Sequence, residues 1–194
     1  ILYTSGTTGL PKGALISHRA MIARAACFTS EMQIPIGDNF IAWPPFYHMA
    51  STDQSIAILL RGGTVYVVDG YQCDLLIDLI EKIPMRYFAL LPGTVGEFAA
   101  AIESCKATVK HIGLCGAMAD LVPREDIAAA TSALNAPYLN TFGSTETGLP
   151  PGTGATIPIG VAPEKLSKRQ SAFCEVGLVD SEDNEVPIGV PGEV

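Results

Sequence analysis

The sequence predicts an α/β fold, in which a mostly parallel, twisted sheet is flanked by helices and followed by part of a small β-subdomain. Short apolar runs alternate with longer stretches whose apolar residues recur at helical spacing, as in βαβ units. The 194 residues are 48% hydrophobic and 16% charged, which suffices for one substantial core. The alternation stops after Gly148. We therefore predict an α/β domain over residues 1–149, a loop or linker over 150–172 and the start of a β-subdomain over 173–194.

The first elements are predicted in the order strand, loop, strand, helix. Ser17 is a suitable N-cap for an amphipathic helix over residues 18–32. Apolar runs rich in β-formers predict further strands at residues 40–43, 64–68, 87–91, 111–115 and 138–142. Periodic stretches predict helices at residues 52–60, 75–83, 95–107 and 123–134. Since parallel sheets bind ligands beyond the carboxyl ends of their strands, we expect the site there.

The last 45 residues follow a different pattern. Residues 150–163 are rich in Pro, Gly and Thr without hydrophobic period, which predicts a surface loop. Alternating residues 174–180, a polar turn at 181–184 and residues 185–188 predict a hairpin. The chain begins at Ile1 within an apparent strand and ends as another apolar run starts, so we expect it to be a piece of a larger protein.

Charge and cysteine content narrow the function classes. Twelve basic and 20 acidic residues give a net charge of −8, which argues against nucleic acid or an anionic membrane as the main partner. No apolar run approaches the roughly 20 residues of a membrane span, and the first residues do not show a charged n-region followed by an apolar h-region. The five cysteines lack metal-binding spacing, which favours reduced core thiols. We expect a cytoplasmic protein.

The first candidate site is a glycine- and hydroxyl-rich loop over residues 3–13, closed by Lys12. Glycines let successive N–H groups point into one concavity, hydroxyls add donors, and a lysine adds a mobile cation for phosphate oxygens. The loop differs from the common P-loop, in which Gly precedes Lys directly. By itself it is equally consistent with a surface turn. Its candidate phosphate ligands, besides Lys12, are Thr4, Ser5, Gly6, Thr7, Thr8 and Gly9.

The second candidate site is the string at residues 141–148, which follows the last predicted strand of the sheet. Gly143 permits a tight turn, and the string delivers hydroxyls and the carboxylate of Glu146 to the strand end. Mg²⁺ prefers oxygen ligands and usually binds one or two carboxylates together with substrate phosphates. Without its context, the same string would predict a turn capped by Ser144 or Thr145.

The third candidate is His48, within residues 45–51 between a predicted strand and helix. A histidine beside aromatic residues is often a packed core residue, and that alternative stays open. Gly116, Ala117 and Met118 follow another strand, so they too are expected at the site.

These motifs resemble the adenylate-forming superfamily, which includes acyl-CoA synthetases, luciferases and peptide-synthetase adenylation domains. Residues 3–13 resemble its phosphate loop, and residues 14–19 most resemble the acyl-CoA synthetase branch. Residues 142–146 match the second signature, aromatic-Gly-x-Thr-Glu, and residues 45–51 resemble Pro-x-aromatic-His-x-x-Gly. The motifs cover most of the first 150 residues in the family's order. The resemblance thus implies a fragment of the large N-terminal domain of such an enzyme.

The resemblance also implies roles for individual residues. The loop with Lys12 would contact the β- and γ-phosphates of ATP, and Glu146 would hold Mg²⁺. His48 would border the acyl and thioester site. Ser51 stands where the family has Gly, and Met118 where it has Pro. The remaining residues expected to contact AMP are Gly116, Ala117 and Met118 against adenine, Phe142 packed on adenine, Gly143 and Ser144 in the turn, and Thr145 on the α-phosphate.

The implied activity is that of an ATP-dependent carboxylate–CoA ligase, of the kind found in fatty acid metabolism. Its substrates would be a carboxylic acid, ATP with Mg²⁺, and coenzyme A. Two alternatives remain open: an adenylating enzyme with another acceptor, such as a carrier-protein thiol or luciferin, and a catalytically silent nucleotide-binding domain. The family's ribose-binding Asp and C-terminal-domain Lys have no counterpart in these residues. We therefore expect this chain to be inactive alone.

Overall fold

The computed structural model describes residues 1–4, 10–116 and 118–194, apart from the side chains of residues 150, 151, 153 and 154. In chain order the elements are β1 (Leu2–Thr4), β2 (Lys12–Ala14), α1 (His18–Glu31), β3 (Asn39–Ala42), α2 (Met49–Leu60), β4 (Thr64–Val67), α3 (Cys73–Lys82), β5 (Met85–Ala89), α4 (Val95–Cys105), β6 (Ile112–Gly116), α5 (Arg124–Leu134), β7 (Tyr138–Ser144) and β8 (Gly148–Ile157). A short 3-10 helix at Ala119–Leu121 precedes α5. The predicted α/β fold is confirmed.

The strands form one four-stranded sheet and two pairs. The large sheet has the order β5-β6-β7-β8, with β5, β6 and β7 parallel and β8 antiparallel to β7. Strands β3 and β4 form a parallel pair, and β1 and β2 an antiparallel one. The β3 region lies beside β5, since the indole of Trp43 donates to the Ala89 carbonyl at 2.8 Å. The parallel strands therefore bring their carboxyl ends to one edge.

Helices cover both faces of the sheet, because adjacent strand residues point to opposite sides. One core packs α3, α4 and α5 against the sheet, and the other packs α1 and α2. The sheet residues that face α1 and α2 are Tyr87, Ala89, Leu114 and Leu139. Those that face α3, α4 and α5 are Phe88, Cys115 and Tyr138. Burial on both sides fixes the register of β5, β6 and β7.

Several predicted boundaries are wrong by two or three residues, among them those of β5 and α2. Strand β5 lies at Met85–Ala89 rather than 87–91, because residues 90–92 already belong to the connection to α4. Helix α2 begins at Met49 rather than at residue 52, since His48 accepts a hydrogen bond from the Ala50 amide and caps the helix. The Ser17 cap of α1 is confirmed, with its hydroxyl accepting from the Ala20 amide at 3.1 Å.

The surface loop predicted at residues 150–163 is wrong over its first half, which forms β8. Apolar periodicity fails here because pairing with β7, not burial of one face, makes the strand. The ladder shifts register between Asn140 and Phe142 and again between Phe142 and Ser144. Such bulges, and the position of β8 at the edge of the described sheet, tolerate the missing N–H groups of prolines 150 and 151. Strand β8 therefore crosses the predicted boundary at residue 149.

The hairpin predicted at residues 174–188 forms its turn but no regular strands. One carboxylate oxygen of Asp180 accepts from the amides of Glu182 and Asn184, which lowers the pKa of this residue. Beyond the turn, only isolated bridges join Val179 to Glu185 and Glu193. Most of these residues are exposed, so no buried face fixes a longer ladder.

The cysteines differ in burial. The five cysteines are free thiols, as predicted, but only Cys115 is buried and Cys105 is exposed, so the prediction that they are core residues is wrong for most of them. Burial raises the pKa of the Cys115 thiol to about 12. Within the described part of the chain, no helix is both long and apolar enough to cross a membrane.

Candidate active site

A cavity of about 240 Å³ lies at the carboxyl ends of β5, β6 and β7, where the sequence predicted the site. Its wall comes from four segments: the start of α2, the end of β5 with the following connection, the end of β6 with Met118, and the end of β7 with its turn and the start of β8. The lining residues are His48, Met49, Ala50, Gln54, Tyr87, Ala89, Leu90, Leu91, Pro92, Gly116, Met118, Thr141, Gly143, Ser144, Thr145 and Leu149. Most are apolar, with polar groups concentrated near β7.

The end of β6 forms one wall by close backbone approach. A Cβ on Gly116 would lie 3.0 Å from the Leu139 carbonyl oxygen, so a side chain there would push β6 and β7 apart by a few tenths of an ångström. The Gly116 carbonyl accepts from the Leu90 amide at 2.8 Å and from the Tyr87 hydroxyl at 3.3 Å. Met118 is 48% exposed, and its carbonyl accepts from the Leu121 amide. Ala117 lies outside the described residues.

The turn between β7 and β8 is held by its own hydroxyls. The Ser144 amide donates to the Thr147 hydroxyl at 3.0 Å, and the Thr147 amide donates to the Ser144 hydroxyl at 3.2 Å. These two bonds close a turn over residues 144–147, the 144–147 turn. Thr145 lines the cavity, whereas Phe142 is 43% exposed and is not among the lining residues. The predicted contact between Phe142 and adenine stays a prediction.

Two glycines allow this hairpin to be tight. A Cβ on Gly143 would overlap the carbonyl oxygen of Gly148 on the returning strand. Gly148 has φ of +77°, a conformation that favours glycine. The turn that presents Thr145 and Glu146 therefore depends on both positions.

A buried ion pair lies beneath the 144–147 turn. Arg24 of α1 and Asp53 of α2 are 6% and 8% exposed, and the guanidinium nitrogen Nη1 lies 3.3 Å from Oδ2 of Asp53. Nitrogen Nη2 of Arg24 donates to the carbonyl of Thr145 at 2.8 Å and to that of Glu146. Burial raises the pKa of Asp53, and the neighbouring guanidinium opposes that shift.

His48 borders the cavity and caps α2. Its Nδ1 accepts from the Ala50 amide at 3.1 Å, which requires Nδ1 to be unprotonated. Although His48 is solvent-exposed, the neighbouring wall partly desolvates the ring and lowers its pKa. The Ser51 hydroxyl donates to the Pro44 carbonyl at 2.5 Å, and Ser51 does not line the cavity. Ser51, where the resemblance implies a glycine, therefore fixes the segment before α2.

The β1–β2 hairpin carries the predicted phosphate ligands that the structure describes. Lys12 is exposed and pairs with Thr4 across the hairpin, and the Thr4 hydroxyl donates to the Lys12 carbonyl at 3.4 Å. Neither residue lines the cavity. The predicted ligands Ser5, Gly6, Thr7, Thr8 and Gly9 lie outside the described residues. The cavity therefore unites the predicted acyl and adenine segments, and the hairpin presents Lys12 separately.

Glu146 has an exposed side chain in the 144–147 turn. Within the described ranges, no group of three or more His, Cys, Asp or Glu side chains is arranged to hold a metal. A lone exposed carboxylate with neighbouring hydroxyls fits Mg²⁺ only when phosphate oxygens complete its ligands, which is the usual arrangement for this ion. The residues present therefore fit a metal that arrives with ATP.

Comparison with known proteins tests the resemblance. The model of the AMP-binding enzyme family matches residues 1–194, the whole chain. The chain belongs to this family of adenylate-forming enzymes.

Relatives of this AMP-binding chain fall into more than one enzyme class. An indoleacetate–CoA ligase of Aromatoleum aromaticum is 26% identical over all of this chain and 38% of its own length. A nonribosomal peptide synthetase of Aspergillus flavus, agiA, is 29% identical over all of this chain and 2% of its own length. The chain thus spans well under half of the curated relatives it matches. The matched relatives therefore include both a CoA ligase and a nonribosomal peptide synthetase.

The fold of the AMP-binding chain also matches solved structures. The o-succinylbenzoate CoA synthetase of Bacillus subtilis, in complex with its acyl-adenylate intermediate, superposes with a TM-score of 0.74. This match covers 99% of the present chain and 38% of that one, at 19% sequence identity. At such identity the likeness concerns the fold.

Sequence reasoning missed Arg24 and Asp53. The sequence does distinguish both residues, because each is a charged residue at a position where helical spacing predicts an apolar one. Arg24 lies between Met21 and Phe28 at helical spacing, and Asp53 is the only charged residue of α2. Charged side chains in such positions are almost never buried unless paired. The partners, however, come from distant elements and cannot be derived from periodicity.

Proposed function

We propose that the protein carrying this chain is an ATP-dependent carboxylate–CoA ligase. The observation that carries the proposal is that His48 and the start of α2 adjoin Gly116, Met118 and residues 141–145 in the same cavity. By family resemblance these segments border the acyl group and AMP. One cavity would thus hold the two groups that an acyl adenylate joins.

The proposed reaction has two half-reactions. A carboxylate oxygen of the acid attacks the α-phosphorus of ATP, the bond to pyrophosphate breaks, and an acyl adenylate forms. The thiol of coenzyme A then loses its proton and attacks the acyl carbonyl, and AMP leaves. Both substrates of the first step are anions, so positioning and charge neutralisation are the main requirements.

This chain's residues would divide those tasks. Lys12 would contact the terminal phosphates, and the Thr145 hydroxyl would contact the α-phosphate. Glu146 would hold Mg²⁺ together with phosphate oxygens, and the bound metal would neutralise phosphate charge. The apolar side chains of the cavity, among them Met49, Leu90 and Leu91, would exclude water from the acyl group.

The choice of coenzyme A as acceptor is supported by the relative named as a CoA ligase. The competing choice is an amino acid passed to a carrier thiol, which the peptide-synthetase relative favours. The cavity offers a physical argument, because an α-ammonium group needs an anionic partner when desolvated. No carboxylate is among the described residues that line the cavity. We therefore propose an acid without a free amine.

The test is ATP–pyrophosphate exchange by the whole protein with a panel of aliphatic acids, aromatic acids and amino acids. We expect exchange with one or more amine-free acids, and acyl-CoA formation when coenzyme A is added. Exchange confined to amino acids, or acyl adenylate that coenzyme A does not consume, would support the carrier-thiol alternative. A protein that binds ATP but exchanges with no acid would support the catalytically silent alternative.

We also propose that the 194-residue chain alone is inactive or nearly so, because it spans 38% of the length of its indoleacetate–CoA ligase relative. Removing one donor that neutralises transition-state charge typically costs about 10² to 10³ in rate. We expect acyl-adenylate formation by the separate chain to fall at least this far below that of the whole protein. A rate within about tenfold would contradict the proposal.

A further inference from the structure

Arg24 joins three elements beneath the candidate active site. Its guanidinium lies in α1 and donates to Asp53 of α2 at 3.3 Å and to two successive carbonyls of the 144–147 turn. The carbonyls belong to Thr145 and Glu146, the residues predicted to contact the α-phosphate and Mg²⁺. Arg24 itself does not line the cavity. Any effect of Arg24 on the cavity therefore passes through the turn.

The turn is shaped to receive this side chain. A Cβ on Gly148 would lie 2.9 Å from Cδ of Arg24 and 3.0 Å from its Nε, so the glycine makes room for the arginine. A lysine would not reproduce the contact, because only the planar guanidinium reaches two carbonyls and a carboxylate with fixed geometry. Asp53 supplies the opposite charge that a buried guanidinium needs.

A buried ion pair is a costly way to stabilise a fold. Apolar residues of similar volume often do so equally well, since the desolvation of two charges offsets their attraction. What the pair supplies here is geometric: it bonds the turn at the two residues that carry the predicted ligands. A role in placing those residues accounts for its location as well as for its chemistry.

We propose that Arg24, oriented by Asp53, is a positioning residue that fixes the 144–147 turn so that Thr145 and Glu146 receive Mg·ATP. This inference rests on the proposed function, because the ligand roles of Thr145 and Glu146 belong to it. Without the guanidinium the turn would lose its hydrogen bonds to α1, and the bonds between Ser144 and Thr147 would then open more often because nothing anchors the two carbonyls between them.

The test compares the whole wild-type protein with Arg24→Met, Arg24→Lys and Asp53→Asn. Arg19→Met is the matched control, because Arg19 is an exposed arginine on the same helix. Three quantities are measured: hydrogen exchange of the Ser144 and Thr147 amides, kcat/KM for Mg·ATP in pyrophosphate exchange, and KM for the carboxylic acid. Calorimetric binding of Mg·ATP is measured alongside, since it does not require turnover.

We expect Arg24→Met to speed exchange of the two turn amides at least about tenfold and to lower kcat/KM for Mg·ATP by a similar factor. The KM for the acid should stay within about twofold, because that end of the cavity is built from α2 and β5. Arg24→Lys and Asp53→Asn should change amide exchange and kcat/KM for Mg·ATP in the same direction but by smaller factors. Arg19→Met should change neither. If Arg24→Met does not fold, these two milder variants decide.

A merely structural clamp gives a different pattern. Faster amide exchange with unchanged Mg·ATP kinetics would overturn the proposal, and so would unchanged amide exchange. The double variant Arg24→Met/Glu146→Gln adds a sharper criterion. If Arg24 acts through Glu146, its loss should matter less once the carboxylate is gone, whereas independent effects would multiply.

Failure of the proposed function gives a separate result. If the wild-type protein binds Mg·ATP but shows no pyrophosphate exchange with any acid, the ligase proposal is wrong. The positioning role of Arg24 is then tested by calorimetric binding of Mg·ATP. In that case a Kd for Mg·ATP raised about tenfold by Arg24→Met supports the role, and an unchanged Kd overturns it. A wild-type protein that does not bind Mg·ATP overturns both.

Discussion

The cavity at the carboxyl ends of β5, β6 and β7 and the β1–β2 hairpin both carry residues predicted to bind ATP, but different forces hold them. Cavity residues such as Tyr87, Ala89 and Leu90 are at least 93% buried within a sheet covered by helices. The hairpin pairs only with itself among the described strands, and its Tyr3 and Leu10 are 59% and 88% exposed. Core packing places the first group, and local hydrogen bonds place the second.

This difference predicts which substitutions affect folding and which affect only catalysis. Side chains held by packing contribute to the stability of the fold as well as to the site. Exposed side chains contribute little to stability, so their loss should appear in the kinetics alone.

The largest effect is expected for Gly143→Ala in the packed region. The added Cβ would overlap the Gly148 carbonyl oxygen, so the two strands must separate and displace Thr145. A misplacement of about 1 Å can cost about 100-fold in rate, and we expect at least that loss in pyrophosphate exchange together with a lower Tm. Gly177→Ala is the control, since a Cβ there meets no atom within 4 Å. Wild-type activity in Gly143→Ala would show that the turn is not fixed.

A smaller effect, confined to activity, is expected for Lys12→Ala in the hairpin. Loss of a charge-assisted contact costs about 1.5–3 kcal/mol, which corresponds to about 10- to 150-fold in kcat/KM for ATP. The Tm should hardly change, because Lys12 is exposed. Exposed Lys165→Ala serves as the control for charge alone. A large loss of stability in Lys12→Ala would contradict the distinction between the two regions.

Glu146→Gln is expected to lower adenylation about tenfold, the scale of one charge-assisted ligand. The substitution keeps the backbone carbonyl that accepts from Arg24, so the turn should remain in place. Raising the Mg²⁺ concentration should partly restore the rate, which is measured by pyrophosphate exchange at several metal concentrations. A loss that does not respond to metal would assign Glu146 to the organisation of the turn.

The smallest effect is expected from the titration of His48. Its pKa is lowered from 6.5, so between the lowered value and 6.5 the folded protein binds fewer protons than the unfolded chain. The stabilisation is therefore complete above about pH 6.5 and is lost as the pH falls through the lowered pKa. Protonation of Nδ1 also removes the helix cap, worth about 1 kcal/mol.

Urea unfolding of wild type and His48→Asn between pH 5 and 8 checks this sign. Asn can cap α2 without titrating, so its stability should fall less than that of the wild type on acidification. Parallel curves for the two proteins would show that the ring is not coupled to folding.

Much of the fold could be predicted from the sequence, because the spacing of apolar residues in a helix or buried strand indicates both the type of element and its buried side. The Ser17 cap, the alternation of β3 to β7 with helices and the placement of the site at strand ends all depend on such local signals. The predicted grouping of Gly116 and Thr145 follows from that alternation, whereas His48 was placed there by the family resemblance, and the structure brings all three residues to one cavity.

The tertiary structure alone decided what depends on distant partners. Strand β8 forms because it pairs with the free edge of β7, whereas its own sequence, rich in proline and glycine, has no apolar periodicity that predicts a strand. Arg24 could be recognised as a charge on an apolar helix face, but the carbonyls it binds lie 121 and 122 residues away in the chain. Apolar periodicity shows which side of a helix or strand is buried, because burial depends on the segment's own sequence. It does not show which distant residues pack against that side or bond to it.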